Sequence, residues 1–158
     1  MMETAYIKSP IGMIQIEGDL QGLHAVSFID GNVPETSVIP EALEDVAIQL
    51  EEYFAKARTT FSLQLNPQGT DFQKKVWKEL EQIPFGKTTS YLTMAKQLGD
   101  PKVIRAAASA NGKNPISIII PCHRVIGSDG SLTGYAGGLS RKKWLLEHES
   151  PVTQGSLF

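Results

Sequence analysis

Apolar and polar residues largely alternate in two short runs near the start of the chain. These runs span residues 13–17 and 23–29, and a glycine-containing turn lies between them. A period of two is typical of a strand with one buried face, so the runs predict two strands of a hairpin or meander. A third alternating run, at residues 61–65, predicts a further strand.

Residues 41–56 carry apolar side chains at the spacing of a helix. The apolar positions are separated by three, one, three and four residues, and they are Leu43, Val46, Ala47, Leu50 and Phe54. This spacing aligns them on one face. The pattern therefore predicts a helix between the second and third strands.

Helical spacing and capping residues dominate the second half of the chain. Thr70 or Asp71 can cap a helix that continues to Leu80, because these side chains accept hydrogen bonds from the first helical turn. Ser140 can likewise cap a last helix that runs through Leu146.

Two short helices are predicted between these longer ones. Ser90 can cap a helix over residues 91–98, and Asp100-Pro101 is a strong start for a second helix over residues 102–111. Two helices joined by a short turn that contains glycine are typical of a helix-turn-helix motif.

Breaker residues at 66–69 predict a boundary between two domains, 1–66 and 67–154, followed by a tail at 155–158. Net charge supports the division. The first domain carries three Lys/Arg against ten Asp/Glu, a charge of −7, and the rest of the chain carries twelve against seven, a charge of +5. A basic second half favours a polyanionic partner.

Composition excludes several classes of protein. Apolar residues make up 41% of the 158, enough to bury a core, and no apolar run is long enough to span a membrane. One cysteine allows no intramolecular disulfide, and the amino terminus lacks a secretory signal, so we expect a cytoplasmic protein without membrane association. The one cysteine and three separated histidines do not make a zinc site, so no metal is expected.

Cys122 is the residue most suited to chemistry. It follows a fully apolar run at residues 116–120, which predicts a buried strand or extended segment, and it precedes His123 and Arg124. Neighbouring cations or imidazoles lower the pKa of a thiol and raise the fraction of nucleophilic thiolate. The alternative is a buried, inert cysteine.

The segment Ile120-Pro121-Cys122-His123-Arg124-Val125 resembles the active-site signature of the O6-alkylguanine-DNA alkyltransferases. The resemblance covers roughly residues 70–150. Its other matching positions are Tyr91, Arg105, Asn114-Pro115, Gly134-Tyr135-Ala136-Gly137-Gly138-Leu139 and Trp144-Leu145-Leu146-Glu147-His148-Glu149.

The resemblance implies a fold of the α+β class: a small amino-terminal α/β domain like ribonuclease H, followed by a mainly helical winged helix-turn-helix domain. It also implies direct, irreversible transfer of an alkyl group from O6-alkylguanine, and from O4-alkylthymine, in double-stranded DNA to Cys122. The product thioether is stable to water, so each molecule would act once. The protein would work without a cofactor, as a monomer.

The resemblance also implies roles for individual residues. A relay of cysteine, histidine, water and glutamate, in that order, maps onto Cys122, His123 and Glu149. Asn114 would order the turn that carries the active site. Arg105 would fill the place of the flipped nucleotide, and Tyr91 would help to rotate it. The implied DNA- and base-contacting residues are Ser90, Tyr91, Arg105, Ala106, Ala107, Arg124, Val125 and Tyr135.

Small side chains on the second helix of the motif would allow close approach to the minor groove. Two other functions compete with alkyl transfer. One is a non-catalytic binder or regulator of alkylated DNA, against which the presence of Cys122 argues. The other is a papain-like cysteine hydrolase, whose local sequence around the cysteine is absent.

Overall fold

The computed structural model describes residues 1–150, so the predicted tail at 155–158 lies outside the described residues. The chain divides into two compact units, one at 1–68 and one beginning at Gly69. Each unit has its own buried apolar core.

The first unit contains a three-stranded antiparallel sheet in the order β1-β2-β3. The strands are β1 (Glu3–Ser9), β2 (Gly12–Asp19) and β3 (Gly22–Ile29). Both strands predicted from alternation are confirmed. Sequence reasoning missed β1, although Ala5 and Ile7 alternate there and pair with Ile16 and Ile14 of β2.

The predicted helix of the first unit is confirmed, with a tighter first turn. A 3₁₀ turn at Glu41–Leu43 leads into α1 (Glu44–Phe54). The turn buries Leu43, and the inner face of α1 buries Val46, Leu50 and Tyr53. These side chains and those of the sheet form the core of this unit.

The strand predicted at residues 61–65 is wrong. This segment makes one isolated bridge, between Leu65 and Leu23 of β3. The side chain of Gln49 in α1 bonds the backbone of this segment where a strand partner would otherwise do so. Its oxygen accepts from the Ser62 N–H at 2.9 Å, and its nitrogen donates to the Ser62 carbonyl at 3.3 Å.

The second unit is mainly helical, as predicted. Its helices are α2 (Asp71–Leu80), α3 (Tyr91–Gln97), α4 (Ile104–Gly112) and α5 (Leu139–Glu149). Thr70 caps α2 through a reciprocal pair of hydrogen bonds with Gln73. The Trp77 side chain of α2 is buried and donates its Nε1–H to the Ala110 carbonyl at 2.8 Å, which fixes α2 against α4.

The two helices of the predicted helix-turn-helix are α3 and α4. Ser90 caps α3, Gly99 turns the chain with φ of 111°, and Asp100 caps a 3₁₀ turn at Pro101–Val103 that leads into α4. A two-residue parallel pairing joins β4 (Thr89–Ser90) to β5 (Val125–Ile126). This pairing ties the start of the motif to the segment that follows Cys122.

The predicted Ser140 cap is wrong. The residue at the N-cap position of α5 is Gly138, with φ of 91° and no side-chain cap, so Ser140 lies inside the first turn. Gly138 fits this place because it adopts a left-handed φ without steric cost.

Candidate active site

Residues 116–121 form a buried series of turns, so the predicted strand or extended segment is wrong. The Ile120 N–H donates to the Ile116 carbonyl at 3.1 Å, and Ile118 has a left-handed φ of 73° although it is β-branched and fully buried. Such backbone is rarely populated and is held in place by its surroundings. The turns end at Cys122.

The Asn114 side chain organises these turns. Its nitrogen donates to the carbonyls of Ile116 at 3.2 Å and Ile120 at 2.8 Å, and its oxygen accepts from the Ile116 N–H at 3.0 Å. Asn114 is itself buried. One side chain therefore supplies three hydrogen bonds to the backbone of this segment.

Cys122 begins a 3₁₀ turn, Cys122–Arg124, and is 4% exposed. Its N–H donates to the Ile120 carbonyl at 2.8 Å. Asn111, near the end of α4, directs its side-chain nitrogen at the Cys122 carbonyl at 3.5 Å. The thiol thus lies where the turns, the 3₁₀ segment and the end of the second motif helix meet.

His123 and Arg124 both hold the carboxylate of Glu149 at the end of α5. His123 Nε2 lies 2.7 Å from Oε2 of Glu149. Arg124 donates from Nε to Oε1 at 2.7 Å and from its terminal nitrogen to Oε2 at 3.0 Å. Another Arg124 nitrogen donates to the Ile83 carbonyl at 2.7 Å. All three charged or polar side chains are buried.

These contacts decide the charge and tautomer of the cluster. Burial would raise the pKa of Glu149, but His123 and Arg124 outweigh it and hold that pKa well below its usual range. Burial lowers the pKa of His123, although Glu149 opposes this shift. With Glu149 ionised, His123 Nε2 must carry the hydrogen, so the other ring nitrogen, Nδ1, is a free base. Nδ1 is buried and has no hydrogen-bond partner among residues 1–150.

The relay implied by the resemblance needs one correction. A water between His123 and Glu149 is wrong, because the two side chains are in direct contact at 2.7 Å. No hydrogen bond between the Cys122 thiol and the imidazole is present among the described residues.

Lys142 of α5 was missed by the sequence analysis. Its side chain is fully buried, and its Nζ donates to the carbonyls of Val125 at 2.7 Å, Thr133 at 2.7 Å and Gly134 at 3.4 Å. Burial lowers the pKa of Lys142 to about 8, although the Cys122 charge opposes the shift. A lysine at the fourth position of a helix is typical of the surface, so the sequence pattern did not indicate that Lys142 is buried.

The sequence neighbours of Cys122 do not activate its thiol. Burial raises the pKa of Cys122, while a hydrogen bond from Asn114 and the charge of Lys142 work in the opposite direction. His123 and Arg124 do not contact the thiol, because both side chains are directed at Glu149.

Tyr135 belongs to the loop between β5 and α5, and Tyr91 is hydrogen-bonded to the same loop. The Tyr135 hydroxyl is buried, and its ring meets the His123 ring edge-on at a centroid separation of 6.5 Å. Burial raises the pKa of Tyr135 well above its usual value, so the phenol keeps its proton. Tyr91, at the start of α3, donates its hydroxyl to the Thr133 carbonyl at 3.2 Å.

The remaining predicted DNA contacts are divided between the surface and the core. Arg105 and Ala106 are exposed in the first turn of α4, and Ser90 and Tyr91 are half-buried at the start of α3. Ala107 is wrong as a DNA contact because it is fully buried in the core. The prediction that Arg124 contacts DNA is also wrong, because its guanidinium is buried against Glu149.

Val125 is fully buried, so it can meet a base through its backbone alone. Its carbonyl already accepts from Lys142, but a carbonyl oxygen has two lone pairs and can accept a second hydrogen bond. Among residues 1–150, no three His, Cys, Asp or Glu side chains are grouped so as to hold a metal ion. No helix in that range could cross a membrane.

Two family models match consecutive parts of the chain. Residues 2–67 match the model described as "6-O-methylguanine DNA methyltransferase, ribonuclease-like domain", and residues 71–151 match "6-O-methylguanine DNA methyltransferase, DNA binding domain". Together they account for nearly the whole sequence.

Relatives named methylated-DNA–protein-cysteine methyltransferase match over almost their full length. The one from Methanosarcina acetivorans is 48% identical over 153 residues, covering 94% of this chain and 98% of its own. The one from Mycolicibacterium paratuberculosis is 41% identical over 161 residues, covering 99% and 98%.

Solved structures agree with the fold. The crystal structure of Mycobacterium tuberculosis O6-methylguanine methyltransferase matches with a TM-score of 0.85 at 42% identity, covering 100% of this chain and 97% of that one. The Mycobacterium tuberculosis protein crystallised with DNA matches with a TM-score of 0.82 at 46% identity, covering 91% and 90%.

The fold and the matches define a two-domain DNA methyltransferase with one domain of the ribonuclease-like type and one that binds DNA. The chain belongs to the 6-O-methylguanine DNA methyltransferase family.

Proposed function

We propose that this protein repairs O6-alkylguanine in double-stranded DNA by moving the alkyl group onto the sulfur of its own Cys122. The observation that carries the proposal is the setting of the thiol. Against the effect of burial, Asn114 and Lys142 favour the thiolate, and His123 offers a free basic nitrogen, Nδ1, while its other nitrogen, Nε2, contacts the ionised Glu149. An inert core cysteine needs none of these groups.

The reaction is a displacement at an sp³ carbon. A water bridges Cys122 to Nδ1 of His123 and carries the thiol proton to the imidazole, and Glu149 stabilises the imidazolium. The sulfur–carbon bond forms as the carbon–O6 bond breaks. The electron pair stays on the guanine, which takes up one proton, so that the proton lost by the thiol is balanced.

The protein acts once. The product is a thioether, which water does not cleave, and the chain contains one cysteine in all 158 residues. No second thiol of this chain is available to accept the alkyl group.

Access to the alkyl carbon requires the nucleotide to leave the base stack. Arg105 is exposed at the start of α4, where it can enter the stack as α4 docks in the minor groove. Tyr91 is at the start of α3 and rotates the nucleotide by crowding its phosphate. Ala106, also exposed, allows close approach, and Ser90 lies at the same helix start.

Recognition of the flipped base uses groups around the thiol. Tyr135 keeps its phenolic proton and donates to the base. The carbonyls of Cys122 and Val125 read the guanine edge. O4-alkylthymine presents a similar alkylated oxygen and is a second substrate. The protein works as a monomer in the cytoplasm.

The test is the intact mass of the protein after incubation with a duplex that contains one O6-methylguanine. We expect a gain of one methyl group per protein, located on Cys122, with loss of the lesion in equal amount. Cys122→Ala is the control and should bind the duplex without gaining mass. Binding by the unaltered protein without transfer would instead identify a non-catalytic binder of alkylated DNA, and several lesions removed per protein would exclude single use.

A further inference from the structure

The side chain of Lys142 joins three carbonyls of the loop at residues 125–134, which follows Cys122 in the chain. Val125 and Thr133 each accept from its Nζ at 2.7 Å, and Gly134 accepts at 3.4 Å. A buried ammonium is costly to desolvate, so its hydrogen bonds must be well made. The three carbonyls lie at the two ends of this 125–134 loop, and Tyr135 follows the loop directly.

The Thr133 carbonyl has a second donor. The Tyr91 hydroxyl donates to the same oxygen at 3.2 Å, and the ammonium of Lys142 lies 5.9 Å from the centre of the Tyr91 ring. Tyr91 begins the first helix of the DNA-binding motif. One backbone oxygen therefore connects the DNA-binding motif to α5 and to the loop beside Cys122.

We propose that Lys142 is a positioning residue that, together with the Tyr91 hydroxyl, holds the 125–134 loop, and with it Tyr135, in place during transfer. The proposal rests on the proposed function. In the free protein, Tyr91 and Lys142 hold the loop together. The same two donors keep the pocket closed around the flipped base during transfer.

The direct test is a double-mutant cycle on the transfer rate constant, measured in single turnover with saturating duplex. Lys142→Met keeps the length of the side chain and removes the donor, and we expect it to slow transfer at least tenfold while the Kd for DNA changes less than twofold. Lys143→Met is the matched control, because Lys143 is the adjacent lysine and is 45% exposed, and it should transfer at the unaltered rate.

The cycle is completed with Tyr91→Phe, which removes the other donor to Thr133. Because both donors hold one carbonyl, we expect Lys142→Met to slow transfer by a larger factor in the Tyr91→Phe background than in the unaltered protein. If Lys142→Met instead slows transfer by the same factor in both backgrounds, Lys142 and Tyr91 do not act through one carbonyl and the proposal is wrong.

A second measurement avoids any substitution in the core. With Tyr91→Phe, the loop depends on the Lys142 ammonium, which loses its proton near pH 8. The ratio of the Tyr91→Phe rate to the unaltered rate should therefore fall as pH rises from 7 to 9. The titratable groups that face Lys142 are Cys122, His123 and Tyr91. Titration of Cys122 and His123 is common to both proteins and cancels in the ratio. A ratio independent of pH would contradict the proposal.

These outcomes separate the proposal from the function on which it rests. If the unaltered protein gains no methyl group on Cys122, the proposed function fails. If the protein gains the methyl group but the pH ratio and the double-mutant cycle show no linkage between Tyr91 and Lys142, only the proposed role of Lys142 is wrong.

Discussion

His123 contacts Glu149 directly, with Nε2 2.7 Å from Oε2, although the two residues are 26 positions apart in the chain. Both side chains are almost completely buried. The contact orients the imidazole so that its basic nitrogen is Nδ1, and the bidentate bond from Arg124 keeps the carboxylate ionised. The state of His123 therefore depends on Glu149 at the end of α5, although His123 itself lies next to Cys122.

Replacing Glu149 should impair both transfer and stability. Glu149→Gln leaves the buried Arg124 guanidinium without its carboxylate and removes the ionised partner of His123. We expect a transfer rate about 100-fold lower and a free energy of unfolding lower by about 3 kcal/mol, measured by single-turnover assay and urea unfolding. Glu147→Gln, a more exposed carboxylate on the same helix, is the control and should change neither quantity appreciably.

The free energy of unfolding should decrease as the pH falls below about 6.5. Burial lowers the pKa of His123 from its ordinary value of 6.5, so the unfolded chain binds a proton that the folded protein resists. The contribution of His123 is thus fully present above pH 6.5 and is lost as pH falls toward the folded pKa. Urea unfolding between pH 7 and 5.5 should show this slope, and His123→Gln should flatten it. An unchanged slope in the variant would assign the effect to other groups.

Arg105→Ala should separate transfer from folding. Because Arg105 is exposed at the start of α4, its loss should change the free energy of unfolding by less than about 0.5 kcal/mol. Transfer from duplex DNA should slow more than tenfold if Arg105 stabilises the flipped nucleotide. Lys102→Ala removes an exposed cation just before α4 and should weaken binding without this loss of transfer rate. Equal effects of the two variants would show that Arg105 acts through its charge alone.

Affinity for DNA should fall as salt concentration rises, with a modest slope. Each phosphate neutralised by a lysine or arginine releases counterions, and few cations lie at the proposed docking face around α3 and α4. Titration of a fluorescent duplex at several salt concentrations measures the slope. An affinity independent of salt would contradict docking on the phosphate backbone.

Lys56→Gly should stabilise the first unit. Lys56 follows the end of α1 with a left-handed φ of 61°, and the N–H groups of Lys56 and Ala57 bond back to the carbonyls of Tyr53 and Glu52. This is a Schellman motif, which favours glycine at the position of Lys56. We expect a gain of about 1 kcal/mol in the free energy of unfolding, with transfer unchanged. Lys56→Ala retains the strained backbone and should bring no such gain.

Local signals in the sequence identified most of the helices correctly. The caps at Thr70, Ser90 and Asp100 act on the turn that follows them, so they can be read without knowing the rest of the fold. The apolar run at 116–120 was different. Periodicity shows that a segment is buried but not which backbone conformation it adopts. The hydrogen bonds from Asn114 make this one a series of turns.

The sequence by itself determined the family, the cysteine proposed as nucleophile and the motif that presents Arg105, because these are carried by adjacent residues or by short-range spacing. Tertiary structure alone decided that Arg124 and Ala107 face inward, that His123 contacts Glu149, and that Lys142 lies beneath the loop next to Cys122. These relationships join residues from separate elements, and their charges depend on burial. Neither proximity across the fold nor desolvation is encoded in the local pattern of residues.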